Sequence, residues 1–144
     1  MSDRKPFSFV KPGINTTYHI DFDWWQRNER DWHVYLRSLL CAEHQAAFAN
    51  AEEGQMIDWV DPVTAEVQCV DGLQHVLISH CAKEPGFITV HTPIVDSVFR
   101  TFLANGNIPM TPAELAMQLN RPPDLILSTL TGERVYRGLR PKSE

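Results

Sequence analysis

TPAELAMQLNRPPDLILSTL, residues 111 to 130, reads as two short helices joined by a tight turn, and the rest of the chain is organised around it. Thr111 and Glu114 have the spacing of a capping box, with Pro112 at the first helical position. Leu115, Ala116 and Leu119 then share one face, and the small Ala116 lets a second helix approach closely. Arg121-Pro122-Pro123-Asp124 ends the first helix and starts the next, which buries Ile126, Leu127 and Leu130.

Upstream, Ile94, Val95, Val98, Phe99, Phe102 and Leu103 form the apolar face of a preceding helix, begun by Thr92-Pro93 and ended by Asn105-Gly106. Downstream, Arg134 to Arg140 (RVYRGLR) reads as a short hairpin with Gly138 at its turn. The order of helix, short strand at Ile108, two helices and hairpin resembles that of the winged-helix families, as does the spacing Leu115-Ala116, Leu119, Ile126, Leu130. An ordinary three-helix packing motif is the alternative. The resemblance covers residues 92 to 144 and implies contact with DNA through the second helix and the wing. The residues it assigns to nucleic acid are Arg121, Ser128 and Thr129, then Arg134, Tyr136, Arg137, Arg140 and Lys142 in the wing. The helix from Pro122 to Leu130 lacks Arg, Lys, Asn and Gln, so base edges get no bidentate partner and the wing cations would hold phosphates instead.

At 144 residues, with 43% hydrophobic residues, the chain suits one compact domain or a small N-terminal domain fused to a C-terminal module. No apolar run reaches the roughly 20 residues of a membrane span, and no apolar leader opens the sequence. Three cysteines, Cys41, Cys69 and Cys81, are odd in number and include no CxxC pair, so reduced thiols in a cytoplasm are expected. Residues 1 to 91 carry seven Lys/Arg against thirteen Asp/Glu, and residues 92 to 144 carry six against five. Binding of nucleic acid over the whole surface is thereby disfavoured, and any such contact must be local.

Residues 1 to 17 read as an extended arm with Phe7, Phe9 and Val10 as docking points. From Tyr18 the alternation Tyr18, Ile20, Phe22, Trp24 predicts a half-buried strand, with Trp25 left on its polar side as a partner-binding residue. Asp23 and Gln26 predict a helix start, and the helix runs to about Asn50, burying Trp32, Leu36, Leu39, Leu40 and Ala47 before Glu52-Glu53-Gly54 ends it. For residues 62 to 82 helix and hairpin compete. Asp71-Gly72 suits a two-residue hairpin turn, whereas Asp61-Pro62 and the spacing Val63, Val67, Val70, Gln74, Leu77, Cys81 favour a second long helix. The expected architecture is therefore α+β and mainly helical: an arm over 1–17, a strand and two long helices over 18–91, and the winged-helix-like module over 92–144.

Chemistry-bearing residues are scattered. His33, Arg37, Cys41 and His44 fall on one helical stripe, and His75, His80 and Cys81 on the second helix. A Cys/His site between the two is geometrically open, but no segment has paired zinc-ligand spacing and Arg37 would repel a cation, so neither metal nor cofactor is expected. The carboxylates and aromatics of DFDWWQRNERDWHVY are accounted for by capping, ion pairing and core packing. No Walker A, GxGxxG, GxSxG or HExxH motif occurs, and no catalytic residue is assigned. The resulting expectation is a non-enzymatic cytoplasmic regulator or adaptor that touches DNA through its wing, with a protein partner or homodimer and no membrane. A protein interaction module without DNA binding and a metal-sensing protein are the alternatives.

Overall fold

The computed structural model describes residues 11–48, 56–60, 63–132 and 134–142. Among them the chain is α+β, with seven α-helices and two separate two-stranded antiparallel sheets. The first strand, β1 (Tyr18–Ile20), stops after three residues because Asp21 accepts a hydrogen bond from the Trp24 amide at 3.0 Å and caps a helix, α1 (Phe22–Asn28). The cap is Asp21 and not Asp23, so the alternation does not extend to Trp24. Immediately after the cap the period changes from strand to helix, and Trp25 turns inward.

The single long helix expected to about Asn50 is three short ones: α1, α2 (Trp32–Ser38) and α3 (Ala42–Ala47). Glu29 and Cys41 both take extended backbone conformations and break the helical run without a proline. The expected endpoint at Asn50 and the stop at Glu52-Glu53-Gly54 lie outside the described residues.

The second long helix is also absent. A hairpin forms instead, β2 (Met56–Val60) paired with β3 (Val67–Asp71) in the register Met56↔Asp71 to Val60↔Val67. Valines at 60, 67 and 70 with Ile57 favour an extended, pleated backbone over the helix that their spacing also permits. Asp71-Gly72 is not the turn of this hairpin: Asp71 ends β3 and caps α4 (Gly72–Ser79), accepting from the Gln74 amide at 2.8 Å. The expected helix start at Asp61-Pro62 lies outside the described residues. After α4, a 3-10 turn over Cys81–Lys83 leads into the long connection before α5.

The C-terminal helices form as read. Helix α5 (Ile94–Ala104) is followed by α6 (Pro112–Leu119), which carries the complete Thr111/Glu114 capping box, and by α7 (Pro123–Leu130). Asn120 in the left-handed conformation closes α6. The expected strand at Ile108 is reduced to one bridge between Tyr18 and Met110, and Ile108 itself is exposed. The wing hairpin does not form. Arg137 and Gly138, both at positive φ, reverse the chain so that β4 (Leu139–Pro141) pairs with β1, Ile20 opposite Leu139 and Tyr18 opposite Pro141. The Asn107 side-chain amide bonds both the N–H and the C=O of Ile20, extending this seam from a third segment.

One buried cluster joins the segments on both sides of His91: Tyr18, Ile20, Trp25, Leu36, Leu73 and Leu77 pack with Val98, Phe99, Phe102, Leu115, Ile126 and Leu139. Trp25 is fully buried and lies edge-on to Phe99, Trp32 and Tyr35, with ring centroids 5.5 to 6.1 Å away. It is a core residue and not a surface for a partner. No helix among the described residues is long and apolar enough to cross a membrane.

Candidate metal centre

Where α3 meets the end of α4, four potential ligands converge: Cys41, His44, His80 and Cys81, with every ligand atom within 4.8 Å of the others. The two pairs arise from different local devices. Cys41 is the N-cap of α3, and His44 stands three residues later at N3, the two positions a capping box brings side by side. Here they place Cys41 Sγ 3.1 Å from His44 Nδ1. Gln45 supports the bend by donating to the Leu40 carbonyl at 2.9 Å.

Neighbouring residues in a continuous helix point about 100° apart, so an adjacent His-Cys pair would not ordinarily converge. The helix, however, ends at Ser79. His80 takes φ −129°, ψ −66°, and the chain tightens into the 3-10 turn, so both side chains face Cys41. Cys81 Sγ lies 3.4 Å from Cys41 Sγ and 3.5 Å from His44 Nδ1; His80 Nδ1 lies 3.9 Å from Cys41 Sγ. The rings of His44 and His80 meet edge-on with centroids 4.6 Å apart.

These separations resemble the edges of a coordination tetrahedron. With Zn–S near 2.3 Å and Zn–N near 2.0 Å, ligand atoms around one ion stand roughly 3.3 to 3.8 Å apart. Burial is graded across the site, with Cys81 2% exposed, Cys41 and His44 half-buried and His80 exposed. Burial pushes the Cys81 thiol up to about 11, while the backbone N–H of Cys41 pulls in the other direction. A cation held by these four residues would supply the positive charge that burial withholds and would favour the thiolate form of Cys81.

Each half of the site is visible in the sequence as a Cys-x-x-His and a His-Cys; their convergence is not, because it depends on packing between segments about 40 residues apart. The helical stripe that linked His33, Arg37, Cys41 and His44 is broken between Leu39 and Cys41. His33 is instead buried, with Nε2 3.3 Å from Asp71 Oδ1 but without hydrogen-bond alignment. Cys69 is exposed on β3, and His75 lies on α4 outside the cluster.

The residues assigned to nucleic acid are only partly gathered. Arg134, Tyr136 and Arg137 share a shallow cleft of about 360 Å³ with Glu29. Arg137 is stacked on Tyr35 at 3.5 Å and on Tyr136 at 4.9 Å. Arg140 pairs with Asp21 at 2.9 Å and lies 5.5 Å over Trp24. The Tyr136 hydroxyl donates to Asp96 at 2.5 Å, and burial together with that bond holds its proton well above the usual phenol range. Ser128 and Thr129 both turn their hydroxyls onto the Leu125 carbonyl at 2.9 Å, inside their own helix. Arg121, Arg134 and Lys142 are exposed. No protein-family model matches the chain, and no curated protein or solved structure matches it.

Proposed function

We propose that the chain is a Cys2His2 metal-binding protein that holds one zinc ion between α3 and the α4 junction through Cys41, His44, His80 and Cys81. The convergence of four sulfur and imidazole donors at near-tetrahedral separations carries the reading. Two thiolates and two imidazoles suit zinc in particular, a borderline-soft ion without a strong geometric preference of its own. The ion ties a six-residue helix, too short to be stable alone, to the end of α4. At a hundredfold excess of free zinc over its dissociation constant, binding contributes about 2.7 kcal/mol to stability.

Nucleic-acid contact through residues 92 to 144 ranks behind this reading. The three-helix order favours it, but Arg137 and Arg140 spend their charge against the protein's own aromatics and Asp21.

Elemental analysis of the purified chain tests the metal reading. About one zinc per chain is expected, with loss of the metal in His80→Ala and in Cys41→Ser. Cobalt in place of zinc should give thiolate-to-metal charge-transfer absorption, which disappears in the Cys41 variant. A folded protein that takes up neither ion would refute the proposal. His80 is exposed, so its variant tests binding without disturbing the core.

A further inference from the structure

The same centre brings two thiols to 3.4 Å, a separation that suits shared metal ligation and also sets each sulfur directly beside the other. We infer that Cys41 and Cys81 are a dithiol that a hydroperoxide closes to an intramolecular disulfide, with release of the metal. The release clause rests on the metal reading above; the disulfide stands on the thiol geometry alone.

The exposures of the two sulfurs assign their roles. Cys41 is half-buried at the N-cap of α3 with exposed His80 beside it, so an oxidant from solvent reaches Cys41 first. Cys81 is 2% exposed and is approached by its neighbour's sulfur. In the first step the Cys41 thiolate attacks one peroxide oxygen, the O–O bond breaks, and Cys41 becomes a sulfenic acid as hydroxide leaves. In the second step Cys81 gives up its thiol proton to solvent as its sulfur attacks Cys41 Sγ, forming the S–S bond and displacing the sulfenic oxygen as a second hydroxide. Each hydroxide takes a proton from solvent. Two electrons pass from the sulfurs to the peroxide, which ends as two waters.

Closing from 3.4 Å to the roughly 2.0 Å of an S–S bond brings the two sulfurs about 1.4 Å nearer. Only His44 and His80 then remain as ligands, and two imidazoles hold zinc far more weakly than the full set. Cys69 on β3 is the third thiol and is outside the cluster, so it provides an internal reference for unspecific oxidation.

The test uses the full chain, zinc-loaded and after chelation, treated with hydrogen peroxide under non-reducing conditions. Expected is a mass loss of about two hydrogens, one thiol left at Cys69, a Cys41–Cys81 cross-linked peptide, and release of zinc to a chromogenic chelator in step with thiol loss. A reductant should restore both thiols and the metal-binding capacity. Oxygen addition at Cys41 without cross-linking, or oxidation confined to Cys69, overturns the inference whether or not zinc binds. The cross-link in a chain that never binds zinc supports the dithiol and refutes the metal reading. In Cys81→Ser, Cys41 should accumulate as sulfenic acid, trapped by a dimedone-type probe; no labelling there also overturns the proposed order of events.

Discussion

Gly138 shows how much one position can hold. Its φ of +81° lies in the left-handed region, and a Cβ there would stand 2.9 Å from the Asp21 carbonyl oxygen and 3.2 Å from the Trp25 Cβ. Its own carbonyl accepts the Asp21 amide at 2.7 Å, so the backbone is held against the start of α1 with no room to retreat. Gly138→Ala meets both obstacles, the positive φ and a collision with backbone atoms. We expect a loss of about 2 to 4 kcal/mol in chemical denaturation, enough to threaten a domain of this size. A loss below about 0.5 kcal/mol would mean that the close approach is not maintained in solution. A glycine between Arg137 and Leu139 reads in sequence as the tip of a turn; that the turn leans on Trp25 is a tertiary fact.

Helices whose signals are local were legible, and elements decided by partners were not. Thr111, Pro112, Glu114 and Pro123 act within a few residues of themselves, so α6 and α7 were read nearly to the residue. Replacing Thr111 with Ala removes the hydroxyl that accepts from the Glu114 amide at 3.1 Å, and should cost about 1 kcal/mol in a thermal melt. Glu114 bonds the Thr111 amide itself at 2.8 Å, so this second bond should persist; a change within error would show that it alone suffices. By contrast, Val67 and Val70 stand at helical spacing while their β-branched side chains suit a strand, and the choice falls to pairing with β2. Trp25 was placed on the wrong face because the strand period was carried past Asp21, where the backbone had already become helical. The Cys/His site is open in the sequence but is set aside there for a related reason: on two continuous helices Cys41-x-x-His44 and His80-Cys81 lack paired zinc spacing, and neither the N-cap/N3 placement of the first pair nor the helix end that turns the second is a local signal.

Across the whole molecule, the β1–β4 seam joins residues from both ends of the described fold, and its ionisable groups make it sensitive to acid. Burial, then the charge of Lys142, lowers the pKa of His19, so the folded state prefers the neutral ring. This contribution is present above the ordinary value of 6.5 and is lost as pH falls through the depressed one. The Trp24 amide bond, with Arg140, lowers Asp21, whose contribution is present above 3.8 and lost as pH falls further. Metal-free protein in chelator should therefore lose melting temperature on acidification in two stages, with His19→Gln flattening the upper stage and Asp21→Asn the lower. A profile unchanged by both substitutions would locate the acid sensitivity elsewhere.

The seam also has a place in time. Arg140 and Asp21 are 119 positions apart, so closing this joint from a disordered chain costs roughly 4 kcal/mol of loop entropy before any contact repays it. Helix α6, with its local capping box, and α7, begun by Pro122-Pro123 and packed on α6, carry no such cost. The three-helix segment should therefore assemble early and the seam close last, becoming the first joint to open when the protein unfolds.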